Sequence, residues 1–119
     1  MSVRTEVEAV PSGEIVTVTI KVKDTQPGDQ DAQGTTTLTF DPNDEHTFVS
    51  VSSGGTPDHD TSMLSFKWTE IFAPGDEKTY WVKVQCVSAN STATANALAV
   101  LKRKTGSDPD SDSTPVTCG

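Results

Sequence analysis

The chain is predicted to be all-β, an immunoglobulin-like antiparallel β-sandwich of about seven strands with extended termini. Three observations predict it. From Gly13 to Leu101 the residues alternate with period two, largely as Thr and Val. Clusters of Pro, Gly and Asp cut that alternation at short intervals. Only 33% of the 119 residues are hydrophobic, which suits a two-layer sheet that buries one face of each strand and leaves the other to Thr, Ser and Lys.

The elements follow in order. Val3, Thr5, Val7 and Ala9 alternate with charged neighbours, so residues 1–13 read as an N-terminal edge strand or arm ended by Pro11-Ser12-Gly13. Residues 14–101 form the sandwich. Its first strand, Glu14 to Asp24, sets Val16, Val18, Ile20 and Val22 on one face and Thr17, Thr19, Lys21 and Lys23 on the other. Gln26-Pro27-Gly28-Asp29 turns the chain, and Thr35 to Phe40 directs Thr36, Leu38 and Phe40 together. A short strand from His46 to Ser52 points Phe48 or Val49, with Val51, inward. A long loop, Ser53 to Asp60, leads to a strand from Met63 to Trp68, with Leu64, Phe66 and Trp68 on one face and Trp68 as the central aromatic of the core. Ala73-Pro74-Gly75-Asp76 turns into Lys78 to Val87, where Tyr80, Val82, Val84 and Cys86 face inward. Thr92 to Leu101 closes the sheet with a row of Ala on one face. Residues 102–119 begin with the basic step Lys102-Arg103-Lys104 and continue as Asp, Ser and Pro, a composition expected of a polar acidic C-terminal arm.

Within this order the chain resembles the conserved repeat domain of bacterial and archaeal surface proteins, an immunoglobulin-like module of unknown function. The resemblance rests on Val16-Thr17-Val18-Thr19-Ile20-Lys21-Val22, Phe48-Val49-Ser50, Phe72-Ala73-Pro74-Gly75-Asp76 and Asn96-Ala97-Leu98-Ala99-Val100. It spans about residues 14 to 101 and implies a sandwich that hosts many functions, with no particular substrate.

Composition excludes several classes. A net charge of -8 repels phosphate backbones and anionic lipid, so neither nucleic acid nor membrane is an expected partner. The opening residues lack the features of a signal peptide, and no run reaches membrane-spanning length; synthesis in a cytoplasm without export is the expectation, which a fragment of a secreted protein would mimic. No cofactor is implied.

Candidate chemistry is sparse. Asp108, Asp110 and Asp112 have the alternate spacing that opens a calcium loop, but Ser113 replaces the required Gly and Gly119 the bidentate Glu. Asp58-His59-Asp60 with His46 would be a thin metal set, so no metal is expected. No nucleophile elbow or helix terminus supports catalysis, and the chain is expected not to be an enzyme. Lys21, Lys83, Asn96 and Glu70 are the residue types of a Lys-to-Asn crosslink, yet alternation turns both Lys outward. Trp81, flanked by Thr79 and Lys83, is either an interface anchor or a ring packed at a sheet edge. Cys86 and Cys118 are the candidate disulfide pair. Three states remain open for them: a bridge within one chain, which needs Cα atoms within about 7 Å, a bridge to another subunit, or a free Cys118 thiol.

These features suggest a structural protein. The leading expectation is a phage or virus capsid decoration protein that binds virion proteins through sheet edges and terminal arms, as a homo-oligomer or lattice on the virion. The alternative is one immunoglobulin-like repeat of an adhesin or stalk on the bacterial cell surface.

Overall fold

Inward Val, Ile and Ala rows need a second apolar layer, and two antiparallel sheets supply it in the computed structural model, which describes residues 3–118. Among the described residues nine strands run in chain order: β1 (Val3–Ser12), β2 (Ile15–Asp24), β3 (Ala32–Asp41), β4 (His46–Val51), β5 (Thr56–Pro57), β6 (Ser65–Phe72), β7 (Glu77–Cys86), β8 (Thr92–Arg103) and β9 (Gly106–Thr117). The first sheet has the order β1-β2-β7-β4 and the second β5-β6-β3-β8-β9. The fold is a β-sandwich, 48 × 22 × 19 Å.

The core is where period two places it. Val16, Val18, Ile20 and Val22 of β2 meet Tyr80, Val82 and Val84 of β7 on the inner face of the first sheet, and Leu38, Phe66, Trp68, Ala95, Ala97 and Ala99 cover them from the second; all are buried. The Ala row of β8 leaves room for the large rings of its neighbours. Gly34 in β3 answers the same need for space: a Cβ there would lie 2.4 Å from Cε1 of the fully buried Phe72. Trp68 is fully buried and stacks on Tyr80 across the sheets, centroids 4.8 Å apart.

Several boundaries differ from the sequence reading. β3 begins at Ala32 rather than Thr35, and the Met63 to Trp68 strand is β6, shifted to Ser65–Phe72, with Leu64 buried in the turn before it at φ 51°. A bulge at Val49 turns that side chain out and leaves Phe48 packed against the core. Two strands are additional. β5 sits inside the long loop, and β9 replaces the expected C-terminal arm.

The arm at residues 102–119 is thus corrected: β8 runs on through Arg103, and β9 pairs with the whole of β8, from Thr92↔Thr117 to Arg103↔Gly106. Backbone pairing requires no apolar side chains, so a strand of Ser, Asp and Pro is held by the β8 ladder, with Val116 buried beneath it. Pro109 and Pro115 are tolerated because β9 is an edge strand.

Candidate functional site

Side-chain chemistry concentrates along one flank of the sandwich and at its two ends. On the flank, β1 and β9 are edge strands of different sheets, and carboxylates of β9 reach the backbone of β1. The Thr5 N–H donates to Asp110 Oδ2 at 2.7 Å and the Val7 N–H to Asp112 Oδ2 at 2.9 Å. Asp108 accepts from Arg103 Nη1 at 3.3 Å. The three alternate aspartates read as a failed calcium loop therefore share the face of β9 turned toward β1, and two of them cap backbone donors that an edge strand otherwise leaves exposed. Above them Glu6, Val7, Glu8, Thr19, Lys21 and Asp112 line a shallow polar depression.

Arg103, taken in the sequence as part of a basic surface step, is buried. Its guanidinium is ion-paired with Asp24 at the end of β2, the two side chains 1% and 0% exposed. Asp24 Oδ1 also accepts the Gln26 N–H at 3.1 Å, which fixes the start of the following turn. This pair ties the first sheet to the second at the end that holds Val3, the ladder partner of Asp24.

The opposite end carries the disulfide. Cys86, last residue of β7, is bonded to Cys118, just past β9, with Cα atoms 6.2 Å apart. The bond is within one chain and joins the two sheets. His46 is the ladder partner of Cys86, 3% exposed, and neither ring nitrogen has a hydrogen-bond partner among the described residues. Burial lowers its pKa from the ordinary imidazole value, with Glu45 opposing.

His46 is thus separated in role from His59. The His59 Nδ1 accepts the Lys67 N–H at 3.3 Å, and the ring packs edge-on against Trp68 with centroids 5.2 Å apart, so it serves the cover over β6. Asp60 accepts from Ser62 and the Met63 N–H. Asp58-His59-Asp60 and His46 form no common metal set among the described residues.

The candidate interface residues Trp81, Thr79 and Lys83 share the outer face of β7. Trp81 is half-buried, Lys83 Nζ sits 5.5 Å from its ring centroid, and its backbone exchanges hydrogen bonds with Ser52. Lys21, Lys83 and Asn96 point to solvent, away from Glu70. Glu70 instead accepts the Tyr80 O–H at 2.7 Å and lies 3.6 Å from Lys78 Nζ. Burial, reinforced by Glu70, pushes the Tyr80 phenol far above its usual pKa.

Asp24 and Arg103 carried no functional signal in the sequence; Asp110 and Asp112 stood out only as the start of a calcium loop, and His46 only beside Asp58-His59-Asp60. The only signal for the aspartates was their own period of two, which is a strand period as much as the start of a calcium loop.

No protein-family model matches the chain, and no curated protein sequence matches it. Solved structures do resemble it in fold. The full-length major pilin SpaD from Corynebacterium diphtheriae aligns with a TM-score of 0.68 at 13% identity, covering 95% of this chain and 34% of the pilin. Domains D2 and D3 of the same pilin align with a TM-score of 0.62 at 14% identity, covering 94% of this chain and 49% of that one. The chain spans between a third and a half of the length of these structures.

Proposed function

We propose that the chain is a non-enzymatic structural module of a bacterial cell-surface assembly, joined in series to other subunits or repeats. The observation that carries this reading is the placement of its ends. β1 and β9 run side by side in the same direction, as the contacts from Thr5 to Asp110 and from Val7 to Asp112 require. Val3 therefore lies at the Asp24 end and Cys118 at the Cys86 end of the 48 Å axis. Twelve strand residues span about 40 Å, so a module entered at one end and left at the other adds its whole length to a filament or stalk.

Two further facts support the reading. Its fold neighbours include a major pilin that it matches over nearly all of its own length. The disulfide between Cys86 and Cys118 suits an oxidising, extracytoplasmic setting. Capsid decoration draws no support from these neighbours, and the terminal arms it relied on are strands of the sandwich. Subunit contacts in such an assembly fall to the edges that the carboxylate seam leaves open, chiefly β4.

Antibody labelling of intact cells tests the proposal. Surface signal without permeabilisation, lost after mild protease shaving, is expected. Signal only after permeabilisation, or co-sedimentation with virions, would refute it.

A further inference from the structure

We propose that His46, Cys86 and Cys118 form a redox-gated site for monovalent copper, closed as a disulfide in oxidising surroundings and opened as two thiolates and one imidazole when a dithiol reduces the bond. The inference is independent of the surface-assembly reading.

The geometry points to a ligand set rather than to packing alone. One ligand atom from each of the three residues lies within 4.8 Å of the others. Donors bound to one metal at roughly 2.0 Å for nitrogen and 2.3 Å for sulfur stand some 3.5–4 Å apart, so the imidazole needs to move by about an ångström or less, while the two sulfurs, bonded to each other in the oxidised chain, must separate by roughly 2 Å once the bond is reduced. His46 is nearly fully buried, on the strand beside Cys86, and both of its nitrogens lack a hydrogen-bond partner among the described residues. An orphaned buried imidazole carries a desolvation cost that a metal–nitrogen bond would remove.

The donors select the ion. Two thiolates and one imidazole are soft, so calcium and magnesium are poor matches. No fourth His, Cys, Asp or Glu donor joins the cluster among the described residues, which favours a three-coordinate monovalent ion over zinc with its preference for four ligands. Entry is from the Cys118 side, where that residue is half-exposed and its sulfur lies 3.3 Å from the Ser88 carbonyl oxygen.

The chemistry balances. A dithiol supplies two electrons and two protons; the bond between the two Sγ atoms breaks, Cys86 and Cys118 become thiols, and the dithiol becomes a disulfide. Cu(I) then displaces both thiol protons to solvent and accepts the imidazole lone pair, with no change in its own oxidation state. A second disulfide, reduced to a dithiol as it takes two electrons from the thiolates and two protons from solvent, re-forms the Cys86–Cys118 bond and releases the ion as Cu(I).

The test uses the full chain, reduced with a phosphine, desalted without oxygen and titrated separately with Cu(I) from a weak acetonitrile complex and with Zn(II). Native mass spectrometry reads stoichiometry and compactness, and copper-edge X-ray absorption reads the donors. One Cu(I) per compact reduced chain, none on the oxidised chain, and a sulfur-plus-nitrogen shell are expected. His46→Ala should weaken binding by more than the roughly 10–100-fold that loss of an outer partner costs. Cys86→Ser/Cys118→Ser should remain compact and bind no copper. Absence of uptake, uptake unchanged by His46→Ala, uptake confined to unfolded chains, or preference for Zn(II) would each overturn the assignment.

Discussion

Replacing Arg103 with Met isolates the energetic role of the buried ion pair. The substitution keeps an unbranched side chain of similar reach but leaves the Asp24 carboxylate, 0% exposed, without its cation. Removing one partner of such a pair costs about 3–5 kcal/mol, because the surviving charge stays desolvated. For 119 residues the entropy of unfolding is about 0.25 kcal/mol/K, so the melting temperature should fall by roughly 12–20 °C. The partner experiment is Asp24→Leu/Arg103→Met. With both charges gone, the double variant should recover most of the loss, short by about 1 kcal/mol for the Gln26 N–H that then lacks its acceptor. Differential scanning calorimetry under non-reducing conditions at fixed pH measures all three variants. A single Arg103→Met variant within about 1 kcal/mol of the parent, or a double variant less stable than the single one, would show that the pair is solvated and the reasoning mistaken.

Other outcomes follow from the same geometry. Gly34→Ala forces a methyl group against the buried Phe72 ring and should cost about 1–3 kcal/mol in urea unfolding, with unchanged cooperativity. Asp110→Ala/Asp112→Ala uncaps the Thr5 and Val7 amides, so a loss of about 1–3 kcal/mol is expected, together with self-association through the exposed β1 edge in light scattering. His46, which is buried, and His59, which is half-buried, both have lowered pKa values because desolvation disfavours the charged ring. Unfolding lets them protonate near their ordinary pKa of about 6.5. The unfolded state therefore binds more protons below that pH, and stability should decline as pH falls from 7.5 to 5.5. Urea midpoints of the parent and of His46→Asn/His59→Gln over that interval should differ in slope, the variant being flatter.

Where one face of a strand is apolar, the sequence was explicit. Val16 to Val22, Tyr80 to Cys86 and the Ala93 to Ala99 row each announce their inner face by a period of two, and each buries it. The boundaries that moved involve residues whose environment comes from another strand. Gln33 and Gly34 join β3 because β6 and β8 offer ladders on both sides, and Thr56-Pro57 becomes a strand only by lying along β6. The aromatic stack was half visible: the inward parity of Trp68 and Tyr80 is local information, whereas their contact across the sheets is tertiary.

β9 shows why polarity alone misled. Asp108, Asp110 and Asp112 hold no apolar area, so an accounting in buried surface assigns them to solvent. Yet a strand also needs hydrogen-bond partners, and β8 supplies those along the whole length of β9. Once that ladder is in place, period two turns every second residue toward β1, and carboxylates become the side chains best suited there, being strong acceptors facing amides that have no strand beside them. Arg103 fits the same logic. A lysine point charge would leave most of the Asp24 and Asp108 geometry unmatched, whereas a planar guanidinium reaches one carboxylate with each terminal nitrogen. The net acidity of the chain is therefore partly structural: acidic side chains on β9 seal the β1 edge of the first sheet, whose other edge is β4.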